Sequence, residues 1–554
     1  MRGLSSTTLT FILGTTAVIA VPRPNYLKRD VQQIGFDCTP PHHTSDLPLF
    51  SLEYQATFPE DILHSILKSA APGANVTEKK VDGSRYYYDG DLLIGYFNDT
   101  SGETSVFPKL GLLQPGKNID TRGISQYVSN VGIVPNDDTK HSIVRGKTLA
   151  ATQITFGGRA SAPADYLLES IIQRNVPYED QTYAVCGPGT KASFKFGADG
   201  TVKSLQHKWR AARSKDSTIT PLSQDSIQRN IESQLSAASI TSNVTVKSIE
   251  LCFYDSGNQF IQPVFRYNAT VTYPFGFSDE IITGYIPAGG EALEPLPSLN
   301  PPQNQPVPTS AGNRGDTLTN TTATNTTAPP NNIPKRQEGG ITVGRYVMRG
   351  DALSPQMVTD ANYFWEGLSS TSNDFINSQY YWEEPFIYEN DAWAFVDDVN
   401  LAFSEGHGNV DVFATDETLS GWGPVYIPSS LPSNGYGPGA GGSLAYWIIR
   451  SCLVVQSVID YPDSSQAFTP WWPVMNGMHA ILGYRTDAQA DDGSDMENVG
   501  SSLANGVSVL NSWLNGVGNT GYASIMLVCG HDDDTVFDIG NVGKATCLKN
   551  VYQY

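Results

Sequence analysis

Cysteine is scarce in this sequence, 6 in 554 residues, which excludes the disulfide-dense scaffolds of very small secreted domains. Basic residues are outnumbered, 35 Lys and Arg against 56 Asp and Glu, and the net charge of −21 argues against nucleic-acid or anionic-membrane partners. No apolar run reaches the roughly 18 residues of a membrane-spanning helix, and the one near the N-terminus is interrupted by Gly14, Thr15 and Thr16. A phosphate-binding glycine loop, paired cysteines at zinc spacing and a His-Glu-x-x-His helix are all missing. The glycine-rich run Gly435 to Gly442 precedes a strand and does not join a strand to a helix, so it reads as a loop. No cofactor and no metal is expected.

What is present begins with a leader. Arg2 supplies a positive charge, Leu9 to Val21 an apolar core, and Val18-Ile19-Ala20 the residues before a cleavage site, which predicts a signal peptide over 1–20 and a secreted product, extracellular or held in the cell wall. Six Asn-x-Thr sequons start at Asn75, Asn98, Asn243, Asn268, Asn320 and Asn325, and none follows residue 336. Charge repeats the division: residues 337–554 hold 26 Asp and Glu against 6 Lys and Arg, so nearly all the net charge lies there. Such a domain stays soluble and attracts basic peptides or cations.

Between the two halves the chain turns to Pro, Asn, Thr and Ser, a composition that predicts a solvated linker over 287–336. It ends in Lys335-Arg336, and a second dibasic pair, Lys28-Arg29, follows the leader. Both resemble sites for a kexin-like processing protease. The expected plan is a signal peptide, an α+β glycosylated region over 30–286, the linker, and an acidic domain over 337–554.

In the N-terminal region Pro59 to Ser69, Ala164 to Arg174 and Gln224 to Ala238 show helical spacing. Val81 to Tyr96 reads as a meander and Ala192 to Val202 as a hairpin, with further strands at 245–254 and 260–273. These helix-and-sheet units weakly resemble peptidase propeptide modules, including the cystatin-like kind.

The acidic domain alternates strands near 341–348, 394–403, 444–450, 479–485 and 523–529 with helices at Ser354 to Leu368 and Ser501 to Leu514. That alternation predicts an α/β fold, a mainly parallel sheet flanked by helices. One apolar strand runs into Ser404-Glu405-Gly406-His407-Gly408, and another into Arg450-Ser451-Cys452. A strand, His-Gly, a second strand and Cys in this order resemble the caspase, legumain and gingipain clan of cysteine peptidases. The resemblance implies a caspase-like fold, His407 as general acid and base, Cys452 as nucleophile, and an oxyanion hole from the N–H groups of Gly408 and Cys452.

Each half holds three cysteines, and the simplest pairing joins Cys186 to Cys252 and Cys529 to Cys547, leaving Cys38 and Cys452 free. The alternative bridges Cys452 to Cys529, Cys547 or Cys38 and makes it structural. His479 reads as a core histidine or as a wall of the cleft. His531-Asp532-Asp533-Asp534 reads as a solvated turn, the alternative being a cation site built from hard oxygens. Two Arg-Gly-Asp tripeptides, at 314–316 and 349–351, are chance matches. The expected function is a secreted cysteine peptidase or transpeptidase made as a zymogen, acting on a peptide or protein substrate. The alternatives are a non-catalytic acidic binding or effector protein that keeps the fold, and an accessory protein in peptide maturation.

Overall fold

A computed structural model of the chain describes residues 33–56, 58–238, 243–272, 280–299, 305–311, 340–349, 353–371, 374–417, 421–490, 493–517 and 520–554. The chain divides into a unit Met1–Val31 and a unit Gln32–Tyr554. The expected leader, Lys28-Arg29, Asn320, Asn325, Lys335-Arg336 and the first Arg-Gly-Asp fall outside the described residues, as do Gly350 and Asp351 of the second.

The N-terminal region contains two helix-on-sheet arrangements. In one, helix Glu60–Ala70 buries Leu63, Ile66 and Leu67, and these join Ile94, Val106, Phe194 and Leu205 of the neighbouring strands in one apolar cluster. In the other, helix Gln224–Ala237, capped by the Ser223 hydroxyl accepting from the Ser226 N–H, buries Ile227, Ile231 and Leu235 among Val246, Phe265 and Val271 of the antiparallel strands Val244–Asp255 and Phe260–Val271. The helix expected at Ala164 to Arg174 is instead a long strand, Ala164–Tyr178. Its doublets Leu167-Leu168 and Ile171-Ile172 fit helical spacing, but burial at Leu168, Ser170, Ile172, Arg174 and Val176 has a period of two. Buried Arg174 is held by Asp137 at 3.1 Å.

The acidic half builds a sheet from β1 (Ile341–Val347), β2 (Phe375–Trp382), β3 (Leu401–Glu405), β4 (Tyr446–Arg450), β5 (Ala480–Tyr484), β6 (Ala523–Val528) and β7 (Cys547–Gln553). Pairings β1 with β2, β1 with β3, β3 with β4 and β4 with β5 are parallel; β5 with β6 and β6 with β7 are antiparallel. The spatial order is therefore 2-1-3-4-5-6-7. The sequence periodicity places an early start on the 394–403 strand: Ala392–Ala394 is a 3₁₀ turn, and Asn400 is tied to Thr342 across 3.0 Å before β3 begins. The helix expected over 501–514 is two helices, Ser494–Ala504 and Val509–Gly516, separated at Gly506 with φ +81° and restarted by the Ser508 cap.

Parallel strands buried on both faces read as continuous apolar runs, and β3 to β6 do. Leu401, Phe403, Ile448, Leu482 and Ile525 face a layer made by Ser354–Thr371, Ser494–Ala504 and Val509–Gly516, through Phe364, Leu368, Val499 and Trp513. The opposite face differs from the expected helical layer. Trp447, Ile449 and Ile481 pack there against Tyr388, Phe413, Tyr436, Phe468 and Trp471, which come from irregular segments and a small hairpin. Prolines at 428, 432, 438, 470 and 473 with the intervening glycines block helix propagation there, and aromatic rings fill the layer instead.

The two halves are joined in one continuous ladder. β7 pairs antiparallel with the N-terminal strand Lys140–Thr155 through seven registered residues, Cys547 with Thr155 to Gln553 with Leu149. On another side Gln489 and Ala490 pair with Ile281 and Ile282. Parts of the expected linker are packed: Glu294 is buried and accepts from the Gln259 N–H at 3.0 Å, and Thr309 bridges to the edge strand β2 with hydrogen bonds to Tyr380 and Trp382 of 3.1 and 2.9 Å. Buried backbone groups need partners, and these short pieces find them on a sheet edge. Among the described residues no helix is long and apolar enough to cross a membrane.

Candidate active site at the ends of the parallel strands

β3 and β4 lie side by side in register, Leu401 with Tyr446 through Glu405 with Arg450. Both chains leave the sheet at the same edge, so Gly406-His407-Gly408 and Ser451-Cys452 emerge next to each other. In an open parallel sheet the crevice beyond the carboxyl ends of the strands is the usual ligand site. Gly408 is required by this approach: a Cβ on it would sit 2.9 Å from the Cys452 amide nitrogen, 2.8 Å from Val454 Cγ2, and closer still to the Cys452 carbonyl oxygen. Gly406 is confined likewise, with Ala414 O 2.6 Å from its would-be Cβ. The His407 carbonyl accepts from the Ala414 N–H at 2.7 Å, which fixes the loop between β3 and the following hairpin.

His407 and Cys452 are each only 1% exposed. The Cys452 sulfur accepts from the Ala488 N–H at 3.2 Å and lies 3.9 Å from the Ala488 carbonyl oxygen, so the segment after β5 covers the thiol. That segment continues into Gln489-Ala490, the residues paired with the N-terminal strand at Ile281-Ile282. Directly after Cys452 the chain reverses through Leu453 at φ +59°, whose N–H donates to Thr486 O at 3.1 Å. A left-handed leucine costs roughly 1–2 kcal/mol, and strain of this kind collects at functional sites.

Charge is concentrated beside the two blocks. Arg450 Nη1 lies 2.6 Å from Glu405 and 2.8 Å from Asp360, and Nη2 donates to the Gln489 carbonyl at 3.3 Å. All three charged groups are buried, and Arg450 and Glu405 border a pocket also lined by Leu353, Gln356, Cys452 and Ala488. Glu383, fully buried, accepts from Tyr388 Oη at 2.6 Å and places its other oxygen 3.1 Å from the Cβ position of Gly406. Burial pushes its carboxyl well above the ordinary carboxylate range. Asp397 accepts from the Gly437 N–H at 2.7 Å and is raised by burial to about 7. Sequence reasoning had not found Glu383, Asp360 or the Ala488 cover. They come from three distant segments with no shared periodicity, and the one local cue was a Glu-Glu pair between Trp382 and Pro385.

The remaining sequence-predicted residues are scattered. Cys186 is bonded to Cys252 and Cys529 to Cys547, while Cys38 and Cys452 are free thiols; the reading that bridges Cys452 does not hold. His479 is 4% exposed and precedes β5, at the opposite end of the sheet from Cys452, so it is no wall of that cleft. The 531–534 stretch is more than a solvated turn: Asp532 pairs with Lys549, Asp533 accepts from the Gly111 N–H at 3.3 Å, and Asp534 turns inward to His479 and His531. Asn75 and Asn243 are exposed. Asn98 spends its amide hydrogens on Ser84 Oγ and Tyr96 Oη at 3.2 and 3.1 Å, and Asn268 is tied to Ser248 and Thr283.

A family model described as a domain of unknown function, DUF6345, matches residues 351–529, about a third of the chain, a stretch that begins after β1 and contains both His407 and Cys452. No curated protein matches. Among solved structures, an uncharacterized protein from Eubacterium rectale is similar at 10% identity over 48% of this chain and 90% of that one, with a TM-score of 0.27.

Proposed function

We propose that the acidic half is a latent, secreted cysteine peptidase or transpeptidase of caspase-like fold, with Cys452 as nucleophile and His407 as its acid and base. The observation that carries the reading is the convergence of the His-Gly and Ser-Cys blocks at the ends of neighbouring parallel strands, with Gly408 pressed against the Cys452 backbone. In this reaction the Cys452 thiolate adds to the scissile carbonyl carbon, and the C–N bond breaks as His407 gives its proton to the leaving amine. The thioester is then attacked by water, which loses a proton to His407, and the C–S bond breaks to return the thiolate. An amine in place of water gives transpeptidation by the same steps. The N–H groups of Gly408 and Cys452 would stabilise the oxyanion.

The buried thiol supports latency. The 488–490 cover is paired to Ile281-Ile282 of the N-terminal half, so activation requires that segment to shift, with processing after Arg336 by a kexin-like protease as the proposed trigger. A thiol-reactive peptide electrophile tests this. It should label Cys452 in the processed protein, label the intact precursor far more slowly, and fail in His407→Ala. Equal labelling of wild type and His407→Ala would refute the dyad. The same cover favours a second reading, a non-catalytic acidic binding or effector protein; a thiol that stays unreactive after processing supports that one.

A further inference from the structure

At the far end of the sheet from Cys452, His479, His531 and Asp534 converge, and their ligand atoms all lie within 4.8 Å of one another. His479 immediately precedes β5. The other two belong to the loop between β6 and β7, whose base is closed by the Cys529–Cys547 disulfide. The same loop is fastened to the sheet by Tyr446 at the start of β4, whose hydroxyl donates to the Asp538 carbonyl at 2.7 Å, and by the Val509 N–H donating to the Asp534 carbonyl at 2.8 Å.

The hydrogen bonding of His479 aims its ring at Asp534. Its Nε2 lies 2.6 Å from the Gly540 carbonyl oxygen, which can only accept, so Nε2 carries the proton. Nδ1 faces an Asp534 oxygen at 2.5 Å. A proton on Nδ1 or a metal ion can occupy that contact, and the two alternatives are what the test below separates. His531 directs its own Nδ1 at the same Asp534 oxygen from 2.8 Å. A single cation satisfies all three groups at once. A backbone carbonyl fixing the outer nitrogen of a ring is also the usual support for a metal-binding histidine.

We infer that His479, His531 and Asp534 bind one divalent transition-metal ion, zinc by donor type, as a site that pins the disulfide-closed loop to the base of the sheet. Two imidazoles and one carboxylate suit zinc and not calcium, which takes six to eight oxygens. Bonds of about 2.0 Å at tetrahedral angles separate ligand atoms by roughly 3.3 Å. Binding therefore requires the two short Asp534 contacts, 2.5 and 2.8 Å, to lengthen toward that spacing. The His479 side chain is 5% exposed, but those of Asp534 and His531 are 22% and 31% exposed, which gives the ion a route in and leaves the fourth position to water.

The test uses the full-length secreted chain and zinc itself. Because the acidic surface gathers cations weakly, binding is measured in competition with a chromophoric chelator. One tightly held zinc per chain is expected, with cobalt(II) giving the intense visible bands of a tetrahedral site. Asp534→Asn, nearly isosteric, and His531→Ala, at a part-exposed position, should each weaken binding at least about tenfold and abolish the rise in melting temperature that zinc gives the wild type. Folded wild type that holds no zinc against the chelator would overturn the inference, as would a doubly protonated His479 ring seen by nitrogen NMR in zinc-saturating buffer. Unchanged binding in both variants, each checked for native near-ultraviolet dichroism, would overturn it equally.

Discussion

Replacing Gly408 by alanine puts a methyl group where there is no room for one. Its carbon would meet Val454 Cγ2 at 2.8 Å, the Cys452 nitrogen at 2.9 Å and the Cys452 carbonyl oxygen more closely still. Two of these atoms are backbone next to a central strand paired on both sides, so relief has to come from moving the His-Gly loop. Overpacking of this kind costs about 1–3 kcal/mol, and an immobile backbone argues for the upper part, about 2–3 kcal/mol. Unfolding entropy near 2.1 cal/mol/K per residue makes about 1 kcal/mol/K for a cooperative unit of roughly 500 residues. The melting temperature should therefore fall by about 2–3 °C if both halves melt together, and by about twice that if the acidic half melts alone. Differential scanning calorimetry reads the shift and the cooperative unit in one experiment. The loop's displacement should also speed alkylation of Cys452. Gly530→Ala is the control for backbone strain without crowding, since Gly530 has φ +90° and nothing within 4 Å of its Cβ position; it should cost about 1 kcal/mol. A Gly408→Ala protein as stable as wild type, with an equally protected thiol, would refute the packing argument.

Other consequences are open to direct measurement. Asp397, raised from 3.8 to about 7, binds its proton more tightly folded than unfolded, so the stability it contributes is full below about pH 4 and lost as pH rises toward 7. Asp397→Asn should remove that slope and stabilise the protein at pH 7 by up to about 4 kcal/mol, with no gain at pH 4; parallel denaturation curves of the two proteins at both pH values would contradict it. Cleavage after Arg336 should leave two fragments that co-elute in native gel filtration and part only in denaturant, because seven ladder pairs join β7 to Leu149–Thr155; separate native peaks would show the ladder does not hold them. Glycopeptide mass spectrometry should find Asn75 and Asn243 well occupied and Asn98 sparsely, since a glycan there displaces a hydrogen bond to Ser84 or Tyr96; full occupancy of Asn98 would count against its observed geometry.

Much of the acidic half was legible because its strands are apolar on both faces and end in polar, glycine-flanked residues. Four of the five expected strands lie within two residues of their observed bounds, and β3 was misplaced only at its start, where Ala392 to Asn400 is apolar enough to pass for a strand. What escaped has physical causes. β7 carries Lys549, Asn550 and Gln553 among its apolar residues, and its identity depends on partners some 400 residues away. Ala164–Tyr178 satisfied helical spacing through two apolar doublets, and only the burial of Arg174 against Asp137 settles its period. For the site, residue type and order point to His407 and Cys452 through the family resemblance, and the cysteine count leaves two candidates for an unpaired thiol, Cys38 and Cys452. The Asp360–Arg450–Glu405 cluster, buried Glu383 and the Ala488 cover are assembled by the fold alone. The 531–534 stretch reads as surface because its acidic character hides that Asp532 is buried against Lys549 and that Asp534 meets His479 and His531.

The central claim is that Cys452 forms a thioester with a peptide substrate once the cover moves. Incubating the Arg336-cleaved protein with a peptide ester, quenching in acid and mapping the adduct by mass spectrometry tests it most directly. The account predicts an acyl group on the Cys452 peptide that turns over in wild type, and neither forms nor decays at a comparable rate in His407→Ala. An unmodified Cys452 in cleaved, folded protein with saturating ester would contradict it.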